Sequence, residues 1–325
     1  MTVRSLLSIL SDGKFHSGQE LGEHLGISRS AIWKHMRRLE EDGLEIYSVK
    51  GRGYRIPGGL DLLNTGQLDQ LLAPALRQQL GQVDLQLNTA STNAAAMSDC
   101  LRGNCHGNLY LAEQQSAGRG RRGRTWVSPF GRNLYFSLVW RFDQGIGALE
   151  GLSLVVGLAL VQALERMGLS GAQLKWPNDL LVNGRKLAGI LLEINGETSG
   201  ACQVVIGVGI NVAMPYVQGE QIDQPWTDLA TEMRGEGLLR NQVLASCLNE
   251  LIPLLVQFSE RGFVEFAEHW QNYNAHQGQP IILKVGEEEV AGVCQGVDAS
   301  GALLLETGQG VQTYHGGEIS IQRSL

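Results

Sequence analysis

The residues best suited to chemistry lie together in one short stretch, Gly118 to Trp126, which we call the arginine loop. Its nine positions hold three glycines, four arginines and one tryptophan. Glycines let backbone N–H groups approach an anion, and guanidinium groups bind phosphate or carboxylate oxygens. Trp126 offers a flat face on which a base can stack. Because no Asp or Glu lies between Glu113 and Asp143, the stretch predicts an anion-binding loop, in the simplest case for a nucleotide.

Two other interpretations of the arginine loop stay open at this point. A run of one charge sign is often a solvated surface segment. Gly118, Gly120 and Gly123 also fit the G-x-G-x-x-G spacing of dinucleotide-binding folds, but that spacing is weak evidence unless a helix opens at the glycines. Residues 128–131 favour a turn instead. We therefore expect an anion-binding loop rather than either alternative.

A second set of polar groups marks the start of a predicted helix. The strand predicted at 83–87 is followed by the run from Asn88 to Asn93, which contains Ser91 and Thr92. Hydroxyls, carboxamides and free helix N–H groups meet there, which suits the polar head of a small ligand. The same pattern also fits a simple helix N-cap, so this site stays a hypothesis.

Residues 1–59 predict a helix-turn-helix followed by a hairpin wing. Apolar spacing predicts a helix over 3–10, and Ser17 and Ser28 are suitable N-caps for a second and a third helix. Two short alternating strands then enclose a basic turn at 50–53. A capped basic helix followed by a basic hairpin favours DNA binding over the alternative of a three-helix protein-contact domain.

The rest of the chain predicts a largely antiparallel sheet with helices and then a small β-barrel. Strands are predicted at 83–87, 109–112, 133–140, 180–182, 186–194 and 204–211, and helices at 61–80, 88–101, 150–167, 238–261 and 263–273. Thr65 is a candidate cap, and Asn183-Gly184 and Asn195-Gly196 are turn signals. From residue 280 onwards, five short strands separated by glycines predict the barrel.

Composition limits the class of protein. The 325 residues carry a net charge of -7, but residues 1–59 carry +2 and the remainder -9, so the N-terminal part is the expected nucleic-acid face. The five cysteines show neither a C-x-x-C pair nor a zinc spacing, which favours a reduced, cytoplasmic protein. No signal peptide and no run of about 18 apolar residues is seen, so no membrane association is expected.

Four motifs together resemble the signature of the biotin–protein ligases. They lie at 119–126, 175–179, 186–191 and 207–211. The helix-turn-helix makes the chain similar to the bifunctional members, which are both a biotin ligase and a repressor of the biotin operon. The resemblance covers nearly the whole chain.

The resemblance implies a multidomain α/β (α+β) fold. Its expected parts are a winged helix-turn-helix at 1–60, a central class II synthetase-like α/β catalytic domain at 61–274, and an SH3-like β-barrel at 275–325. It also implies a two-step reaction. Biotin and MgATP give biotinyl-5′-AMP and pyrophosphate, and the biotinyl group then passes to a lysine of a biotin carboxyl carrier protein. The other implied partners are operator DNA and, when the adenylate is bound, a second copy of the chain.

The resemblance assigns site residues as well. Biotin would contact Ser91, Thr92, Asn93, Gln115, Arg119, Gly120, Arg121 and Lys186. The nucleotide would contact Arg119, Arg121, Arg124, Trp126, Lys175, Asn178, Asn211 and Trp226. Operator DNA would meet Ser28, Arg29, Ser30, Trp33, Lys34, Arg37, Lys50 and Arg52. Lys186 and Arg121 would be catalytic, because joining two anions requires charge neutralisation and alignment. No metal ligand is evident, so Mg²⁺ would be held mostly by phosphates and water.

A protein of a different class is the alternative. A non-catalytic DNA-binding regulator that senses a small ligand would keep the helix-turn-helix but would not need Lys186 or four loop arginines. In either case, four like charges and three glycines predict an arginine loop that is mobile until an anion orders it.

Overall fold

The computed structural model describes residues 2–196, 200–234 and 239–321, and its first part is a winged helix-turn-helix. Its elements are α1 (Thr2–Leu10), α2 (Gly18–Leu25), α3 (Arg29–Glu41), β1 (Tyr47–Val49) and β2 (Gly53–Arg55). The Ser17 hydroxyl accepts the Glu20 backbone N–H, and the Ser28 hydroxyl accepts that of Ala31, so both predicted caps are confirmed. Each cap satisfies a backbone donor that the helix itself leaves free.

The central part carries a mixed sheet with helices on its faces. Its elements are α4 (Thr65–Leu71), α5 (Pro74–Arg77), β3 (Val83–Gln86), α6 (Thr92–Cys100), β4 (Leu109–Ala112), β5 (Leu134–Phe142), α7 (Leu152–Arg166), β6 (Ala172–Lys175), β7 (Asp179–Val182), β8 (Arg185–Gly196), β9 (Cys202–Ile210), α8 (Tyr216–Gly219), α9 (Leu229–Glu232), α10 (Arg240–Arg261) and α11 (Ala267–Asn272). In the described residues, the strand order is β3-β4-β5-β9-β8-β7-β6. Only β3 and β4 run parallel there, which confirms a largely antiparallel sheet.

The predicted N-cap and the predicted end of the first central helix are both wrong. Asn64, not Thr65, caps α4, because its carboxamide oxygen accepts the Gln67 N–H at 2.9 Å. The helix predicted to continue to residue 80 stops at Leu71, since the residues before Pro74 are extended, as a proline requires of its predecessor.

Of the two predicted turn signals, the second one, Asn195-Gly196, is also wrong. Asn195 and Gly196 are still paired with Gln203 and Cys202 at the end of β8, so they do not form the predicted turn. Residues 197–199, which follow, lie outside the described residues, as does residue 238, where the long α10 helix was predicted to begin.

The central core lies between the sheet and the two longest helices. α7 and α10 pack against each other and bury residues such as Val155, Leu158, Leu248 and Leu251. Two stretches, Ile146–Arg166 and Arg240–Arg261, are long and apolar enough to cross a membrane. More than half of each stretch is buried inside the protein, so its apolar side chains pack in the core.

The C-terminal part is a five-stranded antiparallel sheet. It consists of β10 (Pro280–Val285), β11 (Glu288–Val297), β12 (Leu303–Thr307), β13 (Gly310–Tyr314) and β14 (Glu318–Ile321), in the order β13-β12-β11-β10-β14. The Trp176 indole N–H donates to the Gly301 carbonyl at 3.0 Å, which joins this sheet to the central domain. The predicted fold class of three successive parts is thereby confirmed.

The N-terminal helices pack directly on the connection between β4 and β5, which contains the arginine loop. Phe130 is buried in the same apolar core as Leu10 and Met36. On the other side of the loop, the Gln114 carboxamide donates to the carbonyl of Asp42, the residue that ends α3, at 2.7 Å. Both flanks of the arginine loop therefore contact the N-terminal winged helix, to which we assign DNA binding below.

A buried ion pair that sequence reasoning missed holds the start of the same connection. Arg240 and Glu113 lie 2.7 Å apart and are both almost fully buried. Arg240 also donates to the Asn133 carbonyl at 3.0 Å, and Glu113 accepts the Leu63 N–H at 2.8 Å. These extra hydrogen bonds satisfy charges that would otherwise be costly to bury. The network ties α10, β4, β5 and the interdomain segment together.

Candidate functional site

One cavity of about 440 Å³ lies over β8 and β9 and is covered by the arginine loop. Its lining includes every residue predicted to bind biotin or nucleotide, namely Ser91, Thr92, Asn93, Gln115, Arg119, Gly120, Arg121, Arg124, Trp126, Lys175, Asn178, Lys186, Asn211 and Trp226. The volume falls in the range of small-ligand pockets. The structure brings these residues together, and their individual roles stay predictions.

The N-terminus of α6 forms one end of the cavity through an interlocked set of polar side chains. Ser91 caps the helix, so the simple N-cap explanation holds for that residue. Thr92 donates through its N–H and its hydroxyl to the Gln115 carboxamide, at 2.9 and 3.1 Å. The Ser137 hydroxyl contacts both Thr92 and Asn93, at 2.8 and 2.6 Å. This end is therefore more than a cap, because its polar groups are fixed before any ligand arrives.

The arginine loop is a tight turn closed by its own backbone. Gly120 N–H donates to the Arg124 carbonyl at 2.7 Å, and Trp126 N–H donates to the Gly118 carbonyl at 2.9 Å. Arg122 has a φ of 54°, an uncommon left-handed conformation for a residue with a side chain. The loop contains one short 3₁₀ turn (Arg121–Gly123), opens no α-helix and leads into antiparallel strand β5, so the dinucleotide-fold alternative is wrong.

Two of the loop arginines contact partners in the central domain. Arg119 pairs with Glu193 at 3.2 Å, and Glu193 also accepts the Asn93 carboxamide at 2.8 Å. Arg119 therefore lies towards the α6 end of the cavity. Arg121 donates to the Asn178 carboxamide oxygen at 3.2 Å, and burial lowers the pKa of its guanidinium. Although the loop is partly exposed, its arginines line a cavity, so it is more than a solvated surface segment.

The C-terminal domain supplies the partner of the remaining two loop arginines. Glu318, at the start of β14, forms ion pairs with Arg122 and Arg124. Residues 317–319 also line the cavity. Sequence reasoning missed this contribution, because nothing in the local pattern of β14 links it to a loop almost two hundred residues earlier.

Trp126 lies in a slot made by two glycines that face each other across β8 and β9. Gly189 and Gly209 are paired in register. A Cβ atom at Gly209 would lie 2.5 Å from the Trp126 ring, and one at Gly189 would lie 2.9 Å from it. A Cβ atom at Gly207 would collide with the Asn93 carboxamide in the same way. Without side chains at these glycines, Trp126 and Asn93 can lie directly against the two strands.

Lys186 lines the cavity and is largely buried. Its ammonium group is 2.7 Å from Asp179 and 5.6 Å from the centre of the Trp126 ring. Lys175 is close by, and burial, with the Lys186 charge adding to it, lowers the pKa of its amine, while Asp179 opposes the shift. Asp179 was not predicted as a site residue, although it belongs to the 175–179 motif.

Trp226 anchors a segment that lines the cavity. Its indole N–H donates to the Gly219 carbonyl at 3.0 Å, and the backbone on either side pairs with Lys186. Asn211 donates to the Thr227 carbonyl at 3.1 Å and so supports the same segment. These contacts make Trp226 an anchor of the segment around it.

Two buried polar atoms on the cavity wall have no protein partner in the part of the chain that the structure describes. They are the indole nitrogen of Trp126 and the carboxamide oxygen of Asn211. Because buried polar groups are normally hydrogen-bonded, one free donor and one free acceptor beside a cavity indicate a polar ligand. Among residues 2–196, 200–234 and 239–321, no group of three or more His, Cys, Asp or Glu side chains is placed to hold a metal.

The predicted DNA-binding residues lie on the surface of the winged helix. Ser28, Arg29, Ser30, Trp33, Lys34, Arg37, Lys50 and Arg52 are all exposed. The guanidinium of Arg52 lies 4.4 Å from the centre of the Phe15 ring, which orients it without an acidic partner among the described residues. This surface thus combines an oriented arginine on the wing with the exposed side chains of α3.

A winged helix joined to a domain with a cationic ligand cavity defines a class of proteins that combine a DNA-binding fold with a site for a small anionic ligand. Comparison with known protein families assigns each of the three parts of the chain. Residues 89–211 match the "Biotin/lipoate A/B protein ligase family", residues 2–55 an "HTH domain" and residues 276–321 the "Biotin protein ligase C terminal domain".

Individual relatives identify the family. The chain is 40% identical to the "Bifunctional ligase/repressor BirA" of Escherichia coli (strain K12), over 98% of this chain and 96% of that one. It is 37% identical to the "Biotin--[acetyl-CoA-carboxylase] ligase" of Paracoccus denitrificans, over 71% of this chain and 97% of that one. A solved "Biotin protein ligase from Aquifex aeolicus in complex with biotin and ATP" matches with a TM-score of 0.64 and 30% identity, covering 75% of this chain and 100% of that one. The chain belongs to the family of bifunctional biotin ligase/repressors.

Proposed function

We propose that the chain activates biotin with ATP, transfers the biotinyl group to a lysine of a biotin carboxyl carrier protein, and represses transcription with biotinyl-AMP as corepressor. The observation that carries this proposal is the convergence of the α6 terminus, the arginine loop and Lys186 on one cavity. The related Aquifex aeolicus enzyme is described in complex with biotin and ATP, and that supports both substrates here.

Biotin's ring end fits the α6 end of the cavity. A ureido group presents one carbonyl acceptor and two N–H donors, so it needs partners of both kinds. Ser91, Thr92, Asn93 and Gln115 offer hydroxyls and carboxamides that Ser137 and Glu193 already hold in place. Preorganised partners lower the ordering cost of binding.

The nucleotide fits the other end, where Arg121, Asn178 and Lys175 meet. Arg121 and Asn178 are already hydrogen-bonded to each other, and Trp126 and Asn211 supply the two unpartnered polar atoms. ATP brings its Mg²⁺, which reduces the charge on the phosphates and would rest on them and on water rather than on a protein cluster.

Lys186 is the residue we place at the reacting centre. A biotin carboxylate oxygen attacks the α-phosphorus of ATP, forms the acyl–phosphate bond, and pyrophosphate leaves with the electron pair of the broken P–O bond. Both reactants are anions, so an ammonium group and Arg121 at that point reduce their repulsion and align them. A carboxylate nucleophile needs no protein base. In the second step the neutral carrier amine attacks the acyl carbon and forms the amide bond, AMP leaves with the electron pair of the broken C–O bond, and the amine proton passes to solvent.

The remaining parts of the proposal concern organisation. We infer domain boundaries at residues 60 and 274, operator contact through the exposed face of the winged helix, and a location in the cytoplasm, which suits five free cysteines. A winged helix of net charge +2 neutralises few phosphates, so we also propose that the chain binds its operator as a dimer formed with the adenylate bound.

A pyrophosphate-release assay with biotin and ATP tests the first step, and biotin incorporation into an apo carrier protein tests the second. We expect release to require biotin and to fall in Lys186→Met. A protein that binds biotin and DNA but releases no pyrophosphate would instead be a non-catalytic sensor.

Sedimentation with and without a non-hydrolysable biotinyl-AMP analogue tests the dimer. We expect the monomer–dimer constant and the operator affinity to rise together. If operator affinity rises while the chain stays monomeric, dimerisation is not the link.

A further inference from the structure

The DNA-binding helix α3 carries one large apolar side chain on its outer side. Trp33 is 53% exposed, whereas Ile32, Met36 and Leu39 of the same helix are 3% exposed or less. Those three residues fill the domain core, so Trp33 has no packing role there. A single exposed apolar side chain is common on protein surfaces, so the role of Trp33 is decided by its neighbours.

The surroundings of Trp33 are those of a nucleic-acid contact. Ser30, Trp33, Lys34 and Arg37 follow the i, i+3, i+4, i+7 spacing that places side chains on one helix face. All four are exposed, and the Arg37 guanidinium lies 5.8 Å from the centre of the Trp33 ring. Within the described residues, the exposed indole N–H of Trp33 makes no hydrogen bond to the protein.

The position along the helix decides what Trp33 can reach. Trp33 lies in the second turn of α3, in the N-terminal half, the part of such helices that contacts base edges. The basic wing residues Lys50 and Arg52 are then available for phosphates, which position the domain without reading sequence. In the major groove the thymine 5-methyl group is the one apolar feature of the bases, and apolar side chains recognise it.

We propose that Trp33 is a specificity-determining residue of the operator contact and that its ring packs on the 5-methyl group of a thymine in the major groove. The inference rests on the proposed DNA-binding function. Arg37, held over the ring, limits the orientations of the indole and so favours one docking geometry. Lys34, on the same face, supplies only charge.

The experiment starts by selecting bound sequences from a random duplex library with the full-length protein, biotin and ATP. Each thymine of the selected site is then replaced in turn by deoxyuridine, which removes only the methyl group. We expect one thymine per half-site at which the replacement weakens binding about fourfold, which corresponds to ~0.8 kcal/mol for one buried methyl-sized group.

Variants then assign the methyl contact to a residue. Trp33→Ala should bind thymine and deoxyuridine duplexes equally, while Trp33→Phe should keep part of the difference. Lys34→Ala is the matched control, because it should weaken both duplexes by the same factor and lower the salt dependence. Since Trp33 is exposed, circular dichroism should show an unchanged thermal unfolding curve for Trp33→Ala.

The outcomes separate the two ideas. If no sequence is enriched, the DNA-binding proposal fails and the role of Trp33 fails with it. If sequences are enriched but the deoxyuridine profile of Trp33→Ala equals that of the wild type, the operator contact stands and the role of Trp33 is overturned.

Discussion

Phe130 is the side chain by which the catalytic domain enters the core of the DNA-binding domain, and its removal should separate the two. It is 4% exposed and belongs to the apolar cluster of α1, α2 and α3. A Cβ atom on the next residue, Gly131, would lie 3.1 Å from the Leu60 side chain, so the contact continues along the interdomain segment. Phe130→Ala would leave a cavity at this junction.

The expected loss of free energy of unfolding is large for so small a domain. Replacing a buried Phe by Ala costs about 3 to 5 kcal/mol. A domain of about 60 residues has a total stability of roughly 3 to 9 kcal/mol. The hydrogen bond from Gln114 to Asp42 contributes about 1 kcal/mol and cannot compensate. The DNA-binding domain should therefore unfold or undock at a temperature where the central sheet is still folded.

Differential scanning calorimetry and limited proteolysis measure this directly. Phe130→Ala should show a new early transition and early cleavage within residues 1–60, with pyrophosphate release largely retained. Phe142→Ala is the control, because Phe142 packs in the central core and should lower the main transition instead. A single transition for Phe130→Ala, with adenylation lost in parallel, would refute the reasoning. In a fragment starting near Leu60, Phe130 would be exposed, so a polar residue there should improve its solubility.

Three further predictions concern the cavity. Lys186→Met should lower adenylation by about 10² to 10³ and destabilise the fold by about 1 to 3 kcal/mol, because Asp179 loses its ion partner. Adding Asp179→Asn should restore thermal stability but not pyrophosphate release, and recovered release would rule out Lys186 as the catalytic cation. Gly209→Ala should push Trp126 out of its slot and weaken ATP binding in titration calorimetry, and unchanged affinity would contradict the slot. Arg121→Gly should let biotinyl-AMP escape and label bystander lysines, whereas labelling of the carrier alone at the wild-type rate would argue against its role.

Features decided by a few neighbouring residues could be predicted from the sequence. Ser17 and Ser28 cap helices because each hydroxyl reaches a backbone N–H three residues on. Asn183-Gly184 makes the β7–β8 turn, where Asn183 and Gly184 both adopt positive φ. The Thr65 prediction failed by one residue because Asn64 and Thr65 are both competent caps, and only the backbone geometry chooses between them.

Features that depend on distant parts of the chain could not be predicted in this way. Glu113 and Arg240 are 127 residues apart, and neither stands out in its local pattern. Phe130 reads as an ordinary turn residue, although it completes the core of another domain. Ser137 is the partial exception, since a hydroxyl at a buried position of an apolar strand signals a polar partner, which is supplied here by Thr92 and Asn93.

The arginine loop shows how the charge of a site can be misjudged from its local sequence alone. In the sequence the loop looks like four uncompensated cations, and self-repulsion predicts that it is mobile. In the structure Glu193 and Glu318 pair with Arg119, Arg122 and Arg124, so much of that repulsion is neutralised without a ligand. These arginines are about half exposed, and such pairs contribute only about 0 to 1 kcal/mol each, so they orient the side chains without holding them firmly. A phosphate, with more charge and more acceptor oxygens than a carboxylate, can therefore replace these partners at small cost. Glu193 and Glu318, which lie outside the motif, therefore hold the loop arginines in positions where they can bind an anion.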